Sequence, residues 1–113
     1  MSEYSITVEQ IVVWLRYKER TLGDFGVTLA EVRERHAHVP SVAADFDSTL
    51  AIGRINAWAS GEIDFEVLRR EDGTDVLFRH EEISRLDDLS LEEAYADFLR
   101  RMLNPDEAVS SQP

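Results

Sequence analysis

The sequence contains no cysteine, which excludes disulfide bonds, cysteine-ligated zinc sites and thiol chemistry. It also lacks a long apolar run and a charged leader followed by a hydrophobic segment. We therefore expect neither a membrane-spanning helix nor a secretion signal, and a cytoplasmic location is the simplest expectation. No Walker, HExxH, nucleophile-elbow or dinucleotide-binding signature occurs. The sequence gives no positive support for catalysis or for a cofactor.

Basic residues are scarce, since the 113 residues hold 12 Lys and Arg against 23 Asp and Glu, a net charge of −11. The excess is concentrated in residues 62–97, where 13 acids accompany four bases, a local net charge of −9. This field repels phosphate backbones, which argues against nucleic-acid binding, and it attracts a basic protein partner. The other explanation is that the surplus acid only keeps the protein soluble.

Residues 52–83 predict three consecutive antiparallel strands, around which the rest of the chain is organised. Apolar and acidic residues alternate in 62–67 with the period of a strand that has one buried face, and 53–58 alternates in the same way. The linking residues 59–61 predict a three-residue hairpin loop in which Gly61 is left-handed. In that register two apolar pairs face each other, Ile55 with Phe65 and Ala57 with Ile63.

The second hairpin is predicted to turn at Asp72-Gly73, a strong signal for a two-residue type I′ turn. The resulting register places three pairs on the buried face, which are Val76 with Arg69, Phe78 with Val67 and His80 with Phe65. The opposite side of the sheet, called the outer face below, then has Leu68 against Leu77 and Glu66 against Arg79. Its predicted members are Arg54, Asn56, Trp58, Asp64, Glu66, Leu68, Leu77, Arg79 and Glu81.

Trp58 is the large aromatic residue of the predicted outer face. An aromatic side chain among charges is typical of protein–protein interfaces. The alternative is that Trp58 packs against Leu68 and Leu77 beneath a helix, since tryptophans are usually well buried.

Both ends of the chain predict helices. A capping box at residues 7–10 opens an apolar stripe of helical spacing in 8–22, and Gly23 is the expected terminator. A second box at residues 90–93 opens a stripe that stops before Pro105.

The stretch 27–33 is compatible with two structures. Its Leu-Ala-Glu favours a helix, whereas its alternation and β-branched residues favour a strand. We interpret it as a strand, and residues 41–46 predict another.

The predicted fold class is α+β, with an N-terminal helix, an antiparallel sheet of about five strands and a C-terminal helix. Both helices are expected on the face that carries Ile55, Phe65 and Phe78. We expect residues 1–105 to form a single domain and residues 106–113 a flexible tail.

Three sets of residues have types that can support chemistry. His36 and His38 would lie on one side of an extended chain, but zinc needs two or three further ligands. Asp45 and Asp47 could supply them only by a coincidence of the fold, so solvated histidines are expected. The two aspartates share a strand face, as an acid–base or Mg²⁺ pair does, but without a companion base or phosphate loop they are expected to be turn residues. His80 is expected to be partly buried and hydrogen-bonded rather than a catalytic base.

The sequence resembles the TriTu family of bacterial immunity proteins, in its terminal helices and in DFDS at 45–48, IGRI at 52–55, WASG at 58–61 and DFEVL at 64–68. The resemblance also favours a strand over 27–33. It implies a small cytosolic protein encoded beside a polymorphic toxin, such as an Rhs effector delivered by type VI secretion. It further implies a protein that binds and blocks an ADP-ribosyltransferase toxin domain whose target class is elongation factor Tu.

Carried over position by position, the resemblance marks Asp47, Arg54, Trp58, Gly61, Asp64 and Glu66. Backbone requirements explain Gly53 and Gly61. The predicted partner-binding residues are Asp47, Arg54, Asn56, Trp58, Glu62, Asp64, Glu66 and Arg79. No catalytic, cofactor-binding or metal-binding residue is predicted.

An acidic inhibitor suits an enzyme that binds anionic NAD, because such an enzyme needs a cationic cleft. We therefore expect a stoichiometric inhibitor that forms a 1:1 complex with its toxin and binds neither nucleic acid nor membrane. Two rival hypotheses are open. One is an acidic adaptor or chaperone for a secreted protein that uses the same surface, and the other is an enzyme that uses Asp45, Asp47 and His80.

Overall fold

A computed structural model of the chain describes residues 4–106. The helices and strands in this range are α1 (Val8–Leu22), a 3-10 helix (Gly23–Phe25), β1 (Thr28–Arg35), β2 (Ser41–Asp47), β3 (Ala51–Trp58), β4 (Glu62–Arg69), β5 (Asp75–Glu82) and α2 (Leu89–Leu103). The strands form one antiparallel sheet in sequence order. The predicted α+β class, with a helix at each end of a five-stranded sheet, is confirmed. No helix within the described range has the length and apolar character to cross a membrane.

The register of β3 against β4 is confirmed, with Ile55 opposite Phe65. Gly61 has a φ of 100° in the loop between the two strands, as predicted. A Cβ at this position would lie 2.1 Å from the carbonyl oxygen of Ile83, and the Gly61 carbonyl accepts a hydrogen bond from the Ile83 N–H. Conformation and close approach therefore both require glycine here.

The predicted register of β4 against β5 is wrong by one residue. Leu77, rather than Phe78, lies opposite Val67, and the register shifts again just after Val67. The reason is the loop. The Arg69 N–H donates to the Thr74 carbonyl and thereby closes a loop of four residues, 70–73, instead of two. The Gly73 N–H donates to the Arg69 carbonyl, and a type I′ turn is not formed because Gly73 alone in this loop has positive φ.

This shift exchanges the two faces of β5. Phe78 and His80 lie on the outer face, whereas Leu77, Arg79 and Glu81 lie on the face toward the helices. Phe78, predicted to belong to the core, is 62% exposed. None of the residues of β5 is fully buried.

The core lies between the sheet and the two helices. The Phe98 ring of α2 contacts Phe46 and Phe65, with centroid distances of 5.1 and 5.8 Å. Trp14 of α1 contacts Tyr95 of α2 edge to face at 5.5 Å. Since α1 packs on β1 and β2 and α2 packs on β3, β4 and β5, the helices together cover one side of the sheet.

Several contacts fix α2 on this side. Gly53 of β3 lies directly beneath α2, where Phe98 and Met102 leave no room for a side chain. The Ser48 hydroxyl donates to the Met102 carbonyl at 2.7 Å and thereby ties the β2–β3 turn to the end of the helix. Beyond α2, the Asp106 carboxylate accepts a hydrogen bond from Arg69 at 2.7 Å. The rest of the predicted tail, 107–113, lies outside the described residues.

The helix ends were predicted in part. The Thr7 and Gln10 capping box is confirmed, and α1 ends with Gly23 as its C-cap, as predicted. Gly23 nevertheless keeps right-handed helical angles in the 3-10 helix, and the left-handed residue is Gly26, with a φ of 80°. At α2 the cap is Asp88, whose carboxylate accepts from the Ser90 N–H, so the predicted box at residues 90–93 is wrong. The strand interpretation of 27–33 is confirmed by β1.

We expect Gly53→Ala to lower the free energy of unfolding by about 1–3 kcal/mol, because the added Cβ would lie 2.6 Å from the Met102 sulfur. Gly23→Ala is the matched control. Gly23 has helical backbone angles and open space around it, so this variant should be neutral or more stable by up to about 1 kcal/mol. Denaturant unfolding of the three proteins measures both effects. Wild-type stability in Gly53→Ala would contradict the close approach of α2.

Candidate functional site

The outer face is the side of the sheet opposite the helices, and within residues 4–106 neither helix covers it. The strand registers determine its members. They are Thr28, Glu31, Arg33 and Arg35 on β1, Ser41, Ala43, Asp45 and Asp47 on β2, Ile52, Arg54, Asn56 and Trp58 on β3, Glu62, Asp64, Glu66 and Leu68 on β4, and Asp75, Phe78, His80 and Glu82 on β5.

Most of the predicted partner-binding residues share this face. The structure brings together on three adjacent strands Asp47, Arg54, Asn56, Trp58, Glu62, Asp64 and Glu66. Arg79 does not belong with them. It lies opposite Phe65 on the helix side, where its guanidinium contacts Glu81 at 2.8 Å and Asp97 of α2 at 3.5 Å. The one-residue register error is the reason for this wrong placement.

Trp58 is partly exposed at the end of β3. The alternative in which it packs under a helix with Leu68 and Leu77 is wrong. Leu68 pairs with Ile52 at the other end of β3, and Leu77 lies on the opposite side of the sheet. The indole therefore remains available on the outer face.

The part of the outer face on β1, β2 and β3 is balanced by arginines. The Asp45 carboxylate accepts hydrogen bonds from Arg33 at 2.5 Å and from Arg54 at 2.7 Å. The Arg33 hydrogen bond is the main reason why the pKa of Asp45 lies below its ordinary value. Asp47 is bound by Arg70 at 2.7 Å. The two aspartates are thus held by arginines as ion-pair partners, with Arg33 contributed by a strand that the sequence pattern did not connect to the site.

The part on β4 and β5 has no such balance, because its outer-face residues include carboxylates but no Lys or Arg. His80 bridges two of them, with Nδ1 at 2.5 Å from Asp64 and Nε2 at 3.4 Å from Glu82. His80 was expected to be partly buried near Phe65, but its side chain is 42% exposed. Partial burial, followed by the nearby Asp75 carboxylate, raises the pKa of Glu66.

A shallow depression of about 360 Å³ occupies the middle of the outer face. Carboxylates and one arginine form much of its wall, and the side chains of Ile52 and Leu68 add apolar surface. Ile52, in the wall of the depression, is 40% exposed, and Phe78, on β5, is 62% exposed. Leu68 was predicted on this face from the sequence, whereas Ile52 and Phe78 were not. The register could not be read from residues 76–78, because all three are apolar and fit either face. The charged residues around Asp72-Gly73 were a signal for a longer loop.

The described residues contain no group of three or more His, Asp or Glu side chains placed to hold a metal ion. His36 lies 3.2 Å from Glu34 at the exposed end of β1, and His38 is also exposed. Among residues 4–106, the outer face is thus built from ion pairs, unbalanced carboxylates and exposed apolar side chains.

The hydrogen bond that the protonated His80 ring donates to the Asp64 carboxylate, with a smaller contribution from the one to Glu82, raises the pKa of His80. Because the folded-state pKa is raised, the stabilisation from this pair is present below the ordinary histidine pKa and is lost as pH rises through the raised value. We expect Asp64→Asn to lower the pKa of His80 toward its ordinary value, and Glu82→Gln to lower it less. NMR titration of the imidazole measures both. An unchanged pKa in Asp64→Asn would contradict the pairing.

The sequence that builds this sheet and its two helices matches a known protein family. The family model described as "Immunity protein TriTu" matches residues 9–101. No curated protein matches the chain. The matched region begins in α1, takes in all five strands and ends in α2. Since it covers most of the sequence, the chain belongs to the TriTu family of immunity proteins, and its general role is immunity.

Proposed function

We propose that the protein neutralises its cognate toxin by covering the toxin's active site with the outer face, in a 1:1 complex and without catalysis. The toxin is an ADP-ribosyltransferase domain of a secreted polymorphic effector, of the Rhs type delivered by type VI secretion, that modifies elongation factor Tu. The complex forms in the cytoplasm. The observation that carries this proposal is a wide sheet face that neither helix covers and whose β4–β5 part has carboxylates without balancing cations.

Electrostatics support an interaction with an active site of this kind. A site that binds NAD must accommodate two phosphates and therefore needs positive potential. The Asp64 and Glu66 carboxylates both project outward from β4. Asp64 pairs with His80, and within residues 4–106 neither carboxylate forms an ion pair with Lys or Arg. Complementary potentials increase the association rate and favour one orientation of docking.

The dimensions of the face also suit this role. Along β3 the outer-face side chains run from Ile52 to Trp58, a span of about 20 Å at roughly 3.4 Å per residue. A surface of this length can extend across the mouth of a ligand cleft. Its two ends are the apolar side chains of Ile52 and Trp58, and the polar side chains of Arg54 and Asn56 lie between them. A broad, rigid sheet suits occlusion better than a single inserted loop.

To test the proposal, we expect the combined variant Trp58→Ala, Asp64→Lys and Glu66→Lys to bind the toxin domain encoded beside this chain at least about thirtyfold more weakly. The loss of an aromatic contact residue alone costs about 2 kcal/mol, and the reversed charges add repulsion. The variant should also fail to prevent transfer of labelled ADP-ribose from NAD to elongation factor Tu. Calorimetry and the transfer assay provide the two measurements.

The matched control is Glu9→Lys with Glu93→Lys, two exposed helix residues whose reversal changes the net charge by the same amount. It should bind and inhibit as the wild type does, and circular dichroism should show that all variants are folded. Unchanged affinity of the outer-face variant would remove this face from the proposal. Binding without inhibition would contradict occlusion and favour the adaptor hypothesis.

A further inference from the structure

Three apolar side chains form one corner of the outer face, near the β2–β3 and β4–β5 turns. Ile52 and Leu68 are direct cross-strand partners, and Phe78 lies opposite Glu66, which places it diagonally from Leu68. Diagonal neighbours in a sheet are within reach of an aromatic ring. We call Ile52, Leu68 and Phe78 the apolar corner.

The apolar corner is exposed to an extent that folding alone does not explain. Phe78 is 62% exposed and Ile52 is 40% exposed, although both lie on regular strands. Exposed apolar residues that lie together and are surrounded by charge indicate a binding surface. The adjoining depression, to which Ile52 and Leu68 contribute, gives room for a side chain of a partner.

Charge determines what kind of partner can approach. Outward-facing carboxylates flank the corner, with Asp47 beside Ile52, Glu66 opposite Phe78 and Asp75 opposite Leu68. Asp47 is already held by Arg70, whereas Glu66 and Asp75 repel one another. A cation from a partner would relieve this repulsion. A second copy of this chain would instead bring the same carboxylates against each other.

We infer that the apolar corner is the anchor of the toxin interface and that it receives a toxin segment in which an apolar side chain is flanked by Lys or Arg. This inference rests on the proposed function and extends it, because it assigns the anchor to Phe78 and its neighbours and defines the chemistry of the contacting segment. Trp58, about 20 Å away along β3 at roughly 3.4 Å per residue, then makes the contact at the opposite end of the face.

The first test compares Phe78→Ala with Tyr17→Ala, since both rings are 62% exposed and Tyr17 lies on α1. Binding to the neighbouring toxin domain is measured by surface plasmon resonance. We expect Phe78→Ala to bind about thirtyfold more weakly, which corresponds to about 2 kcal/mol, mainly through faster dissociation. Tyr17→Ala should bind as the wild type does. Ile52→Ala should lose less binding affinity than Phe78→Ala. Thermal unfolding checks that each variant is folded.

The second test compares Phe78→Lys with Phe78→Glu, which remove the same ring but introduce opposite charges. If the toxin segment is basic, Phe78→Lys should bind more weakly than Phe78→Glu, and the difference should shrink as salt is raised. The reverse order would overturn the assigned chemistry.

The outcomes separate this inference from the proposed function. If the wild type does not bind the toxin domain, both fail. If the wild type binds and inhibits but Phe78→Ala and Ile52→Ala are unchanged, the apolar corner is not the anchor and the proposed function is retained. Loss of binding in Tyr17→Ala instead would place the interface on the helix layer and overturn the inference.

Discussion

The close fit of α2 over Gly53 is the contact on which the other features depend. Phe98 and Met102 occupy the space that a side chain at this position would need, and the same Phe98 ring reaches Phe46 and Phe65 on the neighbouring strands. One helix thus holds three strands against the core. Because α1 joins α2 on this side through Trp14, the opposite side of the sheet carries no helix in the described part of the chain. The fold itself therefore leaves the outer face available.

The outer face combines two electrostatic environments. On β1, β2 and β3 the carboxylates are paired: Arg33 and Arg54 bind Asp45, and Arg70 from the β4–β5 loop binds Asp47. These ion pairs fix the side-chain positions and offset the negative charge of the two aspartates. On β4 and β5 the carboxylates are accompanied by a single histidine. A partner that approaches the molecule is attracted to the second part, whereas the first part presents a pre-ordered surface. Such an arrangement favours one orientation of docking.

Local signals predicted much of the fold, and the misplaced residues show where they are insufficient. The N-terminal capping box and the alternation around Gly61 each depend on residues close in sequence, so α1 and the β3–β4 register were predicted correctly. The β4–β5 register depends on loop length, which the Asp-Gly dipeptide alone does not determine. Residues 76–78 are all apolar, so the burial of apolar side chains is compatible with either register. Consequently the outer-face positions of Arg54, Asn56 and Trp58 on β3 and of the residues on β4 were predicted, and Ile52 was not. On β5, His80 was expected on the wrong face and Arg79 was included in error.

The length of the β4–β5 loop also affects how such a surface can diversify. β5 is an edge strand without a fully buried residue, so the core depends on it less than on the inner strands. Insertion or deletion of one residue in loop 70–73 would shift the register of β5 and exchange the side chains that it presents outward. The neighbours of Phe78 and His80 would then lie on the outer face, and the packing of the core would change little. Insertions and deletions in this hairpin thus offer a lineage a route to a new recognition pattern in a single genetic event, with the remaining scaffold unaltered.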